Sequence, residues 1–332
     1  MLFGYNSHFP CGLLRSQAFL AVANRAAVVL NTQVVSMSLT REQKIGGALA
    51  ATAYTLWGVA PLYFKQIQQV PALEILVHRI VWSLLLLALI ITVMQLWPKL
   101  LGVLKQPKKV LAMFGTGALL AANWGLFIWA INNGHMLDAS LGYYINPLLN
   151  VLFGMLFLGE RLRKLQWLAV VLAVVGVLQQ LIHFGSLPWI ALVLASSFAV
   201  YGLLRKKLAV DAIGGLFIEA LLLTPFALWY WLGFADSPHA NLLDNSWSLN
   251  LWLLAAGIVT TVPLLCFIGA AKRLQLSTLG FFQYIGPSFM FVFGVFLYGE
   301  PLDPSRLITF GFIWTALIVY SSDALLQIKK RS

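Results

Sequence analysis

The chain has 332 residues, of which 60% are apolar, 13% aromatic and only 10% charged. Its mean hydropathy is +0.85. A soluble domain carries about 25% charged residues, so these values exclude a disordered, fibrous or collagen-like chain and all but exclude a water-soluble enzyme. The two cysteines, Cys11 and Cys266, make neither a disulfide framework nor a paired metal-binding motif. A formal net charge of +11 raises nucleic acid as a partner class, a question that the placement of the charges decides.

Residues 1–40 hold a moderately apolar stretch, Ala18 to Leu30, interrupted by Asn24 and Arg25. It is too short and polar for a membrane span, and no small-residue cleavage site follows it as in a signal peptide. We expect a disordered extension, or a true start at Met37. Ten apolar runs follow, at 45–64, 74–96, 110–131, 137–158, 165–183, 188–204, 213–233, 250–271, 277–298 and 306–325. Each is long enough, as helix, to cross a hydrocarbon core of about 30 Å. We number them spans 1 to 10. The two longest connections lie near 97–109 and 234–249, and no run alternates as barrel strands do. The fold class expected is an all-α integral membrane protein.

Lys and Arg set the orientation. On one side lie Arg41 and Lys44, Lys99 to Lys109, Arg161 to Lys164, Arg205 to Lys207, Lys272 and Arg273, and Lys329 to Arg331, together 17 positives. The other side carries 2, Lys65 and Arg306. Both termini are therefore expected in the cytoplasm. Dispersed in this way the positives act as membrane anchors rather than as a nucleic-acid stripe. Trp97 and Trp167 fall at the inner boundary, and Trp189, Trp229, Trp231, Trp247 and Trp252 at the outer one, as aromatic belts do.

An offset of 140 aligns the chain with itself. Tyr144, Ile145, Pro147, Phe153, Gly154, Gly159 and Glu160 recur as Tyr284, Ile285, Pro287, Phe293, Gly294, Gly299 and Glu300. The same register holds back through Gly117 and Gly257. The halves are then 41–187 and 188–325, followed by a basic tail at 326–332. Five spans is an odd number, so the second copy enters the membrane upside down. Inverted repeats of this kind characterise secondary transporters, whose substrate site lies near the midplane between the halves.

Several strings carry a family resemblance. They are Leu56-Trp57-Gly58-Val59-Ala60-Pro61, Glu74-Ile75-Leu76-Val77-His78-Arg79, Asn123-Trp124-Gly125 with Leu126 to Ala130, Ser140 to Pro147, and Ser277 to Pro287. With Gly159-Glu160 and Gly299-Glu300-Pro301, they resemble the EamA-type drug/metabolite transporter superfamily, and more narrowly its RarD-type permeases, associated with chloramphenicol sensitivity. The resemblance covers about residues 37–325. It implies a multi-pass permease of a bacterial inner membrane that handles small molecules, and a homodimer through spans 5 and 10.

Ionisable side chains inside a span mark a pathway or a buried pair. Span 2 carries Glu74, His78 and Arg79, with Arg79 within reach of Glu74. Span 7 carries Glu219 among apolar neighbours, and Asp138 opens span 4, where it could equally be a helix cap. Trp57, Asn123, Trp124, Tyr144, Asn146, Asn150, Gln283 and Tyr284 lie at mid-span depth. They should face the bundle interior, either packing helices together or lining a cavity. Pro147 and Pro287 remove backbone donors and can kink their spans. Span 5, almost purely aliphatic over 168–182 apart from Gln179 and Gln180, and span 10, apolar with Trp314, suit lipid or a dimer contact. No nucleotide loop, Ser/His/Asp arrangement or HExxH is present, so no catalytic residue, metal or cofactor is expected.

The leading reading is an exporter working by alternating access, with Glu74, His78 and Glu219 as proton-coupling groups. Glu74 and Glu219 align at an offset of 145 as an inverted pair. Arg79 is expected to keep Glu74 charged and leave Glu219 to exchange the proton. A membrane-embedded lipid-modifying enzyme, working through Glu74, His78 and Asp138 at the outer mouth, is the alternative, with a channel or sensor beside it.

Overall fold

A computed structural model describes residues 41–132, 135–184, 188–297 and 304–331. The N-terminal extension, Gly299 and Glu300 lie outside them, as do the side chains of Asp138 and Arg306. Among the described residues every regular element is helical. Span 1 is α1 (Arg41–Gln66), span 2 is α2 (Ala72–Val93), and α3 (Trp97–Leu104) follows it. Spans 3 to 8 are α4 (Pro107–Asn132), α5 (Met136–Leu158), α6 (Lys164–Phe184), α7 (Trp189–Lys207), α8 (Ala212–Gly233) and α9 (Trp247–Arg273). Span 9 is divided into α10 (Leu276–Gln283), α11 (Ile285–Val292) and a π-helical turn, Phe293–Leu297. Span 10 is α12 (Pro304–Arg331).

Two local results differ from a plain reading of hydropathy. The connection at 97–109 contains α3, which lays Leu100 inward while Lys99 stays exposed. The chain reaches it by a turn at Gln95, where φ is +53°, and the Trp97 indole donates to Thr92 Oγ1 at 3.0 Å. The two repeated prolines also behave differently. Pro147 sits inside α5 without interrupting it, whereas span 9 breaks at Tyr284, ahead of Pro287.

The packing displays the repeat. α1 lies on α9 as α7 lies on α4; α2 lies on α9 as α8 lies on α4; and α5 lies on α7 as span 9 lies on α1. The contacts between equivalent spans are α2 with α8, α5 with α10, and α6 with α12. Such matched contacts are what a pseudo-two-fold axis between halves requires. α6 and α12 pack on each other at the edge of the bundle, and Val171, Val175, Ile308 and Ile318 remain exposed on their outer faces. At the centre, Tyr54, Trp57, Phe198, Tyr201 and Phe267 form one aromatic cluster, with Trp57 5.8 Å from both Phe198 and Phe267.

Gly159-Glu160 acquires a physical reason. Gly159 closes α5 in the left-handed region, at φ +65°, where a side chain would be strained. The chain then turns back and the Glu160 amide donates to the Gly154 carbonyl at 3.0 Å. Its carboxylate accepts from the Leu276 amide at 2.6 Å, the Ser277 amide at 2.9 Å and Ser277 Oγ at 2.7 Å, capping α10. A Cβ at Gly154 would stand 2.5 Å from that carboxylate. The motif therefore bolts span 4 of one half to span 9 of the other. Further ties on the same side join the halves: Lys99–Asp211 at 3.4 Å, Arg273–Glu42 at 2.8 Å, and Arg163 with the buried Asp323.

Asp211 also starts α8, accepting from the Gly214 amide at 3.0 Å. Burial alone would raise its carboxyl, but the Gly214 amide and the Lys99 ammonium outweigh that and hold it below the ordinary range. A group held lower in the folded than in the unfolded state adds stability above the unfolded value of about 3.9, lost as pH falls through the folded one. Asp211→Ala should cost about 0.5–2 kcal/mol at neutral pH. The deficit should shrink on acidification below about pH 4, measured by thermal unfolding in detergent. For Glu160→Ala, which leaves three donors unanswered, we expect a loss of about 1–3 kcal/mol; unchanged unfolding would refute the interlock.

Candidate functional site

Between α2, α4, α8 and α9 lies a cavity of about 30 Å³, whose lining includes Arg79, Ser83, Gly117, Trp124, Glu219 and Thr260. That is room for a water or two. It sits where the repeat-related glycines bring helices of opposite halves together. A Cβ at Gly117 would meet Glu219 at 3.3 Å, and one at Gly257 would meet the backbone of Trp82 at 2.7 Å. Three sequence candidates thus converge here: Arg79, Trp124 and Glu219.

Arg79 does not turn toward Glu74. Its Nε donates to Thr260 Oγ1 at 2.9 Å, and its guanidinium lies 4.0 Å from the Trp124 ring centre and 5.7 Å from that of Phe64. Glu74, 3% exposed, instead accepts from Ser237 Oγ at 2.6 Å. The pairing expected from sequence is therefore replaced. Residues five apart on a helix point about 140° apart, and each side chain takes a partner from the opposite half. His78, also buried, accepts from the Trp82 indole at 3.1 Å through Nδ1 and meets the Trp231 ring edge-on at 4.9 Å. Nδ1 must be unprotonated in that arrangement.

Glu219 carries the ion pair instead. Arg205 Nη1 is 3.5 Å from Glu219 Oε1, with the two side chains 0% and 2% exposed. Thr116 Oγ1 donates to the same carboxylate at 2.6 Å and Tyr201 Oη at 3.2 Å. Arg205, counted above among headgroup anchors, is thus no anchor. It turns inward over α8, where a side chain at Gly215 would overlap its guanidinium. Nothing in the run Arg205-Lys206-Lys207 marks which of the three goes inward. Lys206 holds the carbonyls of Ala271 and Leu274.

The uncharged candidates form interhelical ties. Asn123 donates to the Leu194 carbonyl at 2.9 Å and to Ser197 Oγ at 2.8 Å. Asn146 donates to the Ala195 carbonyl at 2.6 Å, while Asn150 bridges Asn146 and Gln283, each at 3.0 Å. Tyr284 donates to the carbonyl of Tyr144, its own repeat mate, at 3.3 Å. Among the described residues no cluster of His, Cys, Asp and Glu is placed to hold a metal ion.

Comparison with known proteins bears on this architecture. The model of the EamA-like transporter family matches residues 44–180 and again 187–322. An uncharacterized transporter of Vibrio cholerae is 58% identical over 285 residues, spanning 86% of this chain and 94% of its own. Protein RarD of Salmonella typhimurium is 55% identical over 291 residues, 88% of this chain and 99% of its own. Chloramphenicol-sensitive protein RarD of Pseudomonas aeruginosa is 32% identical over 300 residues, 86% of this chain and 97% of its own. A crystal structure at 20% identity matches with a TM-score of 0.67 over 83% of this chain and 97% of that one, a likeness of fold alone.

Removing one partner of a buried ion pair strands the other, at a cost of about 3–5 kcal/mol. Glu219→Leu should therefore unfold several degrees earlier in detergent, and adding Arg205→Met should restore most of the loss. Equal destabilisation in the single and double variants would show that the pair is not the cause.

Proposed function

Because the chain belongs to the EamA-like transporter family, we propose that it is a secondary transporter exporting small metabolites or amphipathic drugs by alternating access. The membrane is the bacterial inner membrane, with both termini in the cytoplasm. The observation that carries this reading is a cavity between two repeats whose contacts come in matched pairs. A pseudo-two-fold arrangement has two states of similar energy, open to opposite sides. In this conformation both sides are tied, the terminus-bearing side through Glu160, Lys99–Asp211, Arg163–Asp323 and Arg273–Glu42, and the outer side through Glu74–Ser237 and the Tyr63 hydroxyl to the Trp252 carbonyl. Transport requires the first set to release in one state and the second set in the other.

Glu219 is the proton-coupling group in this scheme. It is the acid of the cavity lining, and its protonation would free Arg205 and loosen α7 from α8. Glu74 and His78 serve the outer closure, and Asn146, Asn150, Gln283, Tyr144 and Tyr284 are the ties about which the halves rock. A homodimer would use the exposed faces of α6 and α12. The enzyme alternative needs converging groups at the outer mouth. It is disfavoured because Glu74 and His78 are engaged by different partners, Ser237 and Trp82.

Two measurements test the proposal. With Cys11 and Cys266 removed, a cysteine at Ala240 should react with an impermeant thiol reagent in intact cells and one at Lys108 should not; labelling at Lys108 overturns the orientation. In proteoliposomes, the neutral pair Arg205→Gln/Glu219→Gln should retain substrate exchange but lose accumulation driven by a pH gradient. Full gradient-driven accumulation in that variant would make Glu219 a structural contact.

A further inference from the structure

We infer that the transported molecule carries a single carboxylate on a planar apolar body, and that Arg79 is the residue that binds it. This rests on the transporter reading and names its substrate class. A guanidinium inside a span costs about 2.5–3.5 kcal/mol on insertion scales, so the protein normally answers it. Arg205 has its charge answered by a carboxylate, Glu219 at 3.5 Å, although its buried Nε has no hydrogen-bond partner among the described residues. Arg79 has a partial answer. Thr260 takes Nε, and Trp124 and Phe64 offer ring faces. Among the described residues no carboxylate pairs with it and its two terminal nitrogens make no hydrogen bond. The residue is half-buried, at the cavity wall.

With Nε anchored on Thr260 and Cζ held 4.0 Å from the Trp124 ring centre, the two terminal nitrogens form a fork. That fork matches the two oxygens of a carboxylate, a geometry that Lys cannot copy. The charge balance sets the valence. The acid in the lining, Glu219, is held by Arg205, Thr116 and Tyr201, so one positive charge is left over and a monoanion suits it better than a phosphate dianion. Apart from Ser83, whose hydroxyl donates to the Gly257 carbonyl, the rest of the lining is apolar, chiefly Ile80, Leu120, Leu216, Leu223 and Leu264, and with the Trp124 face it favours a flat apolar body. A cationic amphiphile would meet an uncompensated guanidinium and be repelled. In this conformation the cavity admits only a water or two, so the anion enters in a state with the halves further apart.

The test uses the full chain in phosphatidylcholine nanodiscs, with three matched probes: indole-3-acetate, its neutral amide, and tryptamine. Calorimetry should show the acid binding, with the amide and the amine weaker by about tenfold or more. Arg79→Gln should lose the preference for the acid, and Arg79→Lys should retain the charge but bind several-fold more weakly. Thr260→Val, which unhooks Nε, should weaken the acid and leave the amide unchanged. Equal binding of acid and amide by the wild-type chain overturns the inference, as does unaltered acid binding by a folded Arg79→Gln. If Arg79→Gln does not fold, the wild-type comparison of acid with amide decides alone. Counterflow in proteoliposomes separates the two readings. Exchange of the amide or the amine but not the acid refutes the carboxylate class and leaves the transporter standing. Acid binding without exchange of any probe refutes transport and leaves the site standing.

Discussion

Inside the hydrocarbon core there is no water to answer a charge or a lone amide, so each must find its partner on a neighbouring helix. Most of the tertiary structure of this chain follows from that requirement. Arg205 and Glu219 answer each other across α7 and α8, with Thr116 and Tyr201 filling the remaining positions on the carboxylate. Asn146, Asn150 and Gln283 form a chain of amides across α5 and α10 that reaches the Ala195 carbonyl of α7. Lipid tails are as apolar as Leu, so the hydrophobic effect alone does not choose among rotations of these helices. Close packing at small residues such as Gly117 and Gly257 and the polar ties make that choice together.

The same ties hold the two halves of the chain to each other. Many of them cross from one half to the other, and many end on a single oxygen or a single ion pair. Glu160 is the strongest, with three donors from the start of span 9. A buried pair is costly to break when one partner is removed, because the other charge is then left without its counter-ion. It is Glu219 rather than Glu74 that holds the buried pair, beside the cavity, while Glu74 holds the 234–246 connection through Ser237. Arg79 stands apart from this economy of partners, with Thr260 and two aromatic faces in place of an acid.

Number and order of the spans, their division into two halves and the family were legible in the sequence, because hydropathy, loop charge and a gapless offset are properties of the chain taken one residue after another. The spans expected at 45–64 and 165–183, for instance, lie inside α1 and α6. The break of span 9 was less legible: Pro147 and Pro287 look alike in sequence, yet only the second lies just past a break, at Tyr284. The role of Gly159-Glu160 was visible as a repeated pair but not as a cap, since its acceptors meet amides more than a hundred residues away.

Which charge met which was decided only in three dimensions. Along the sequence Arg79 is five residues from Glu74 and Glu219 has only apolar neighbours, so the first looks paired and the second alone. Helix rotation reverses both. It turns Arg79 onto Thr260 and Trp124, and brings Arg205, fourteen positions before Glu219, under the N-terminal turns of α8. Sequence by itself determined that buried charges are present and at what depth, because depth follows from position along a span. Their partners depended on the angle at which each helix faces its neighbours, and that angle is set by the packing of the whole bundle.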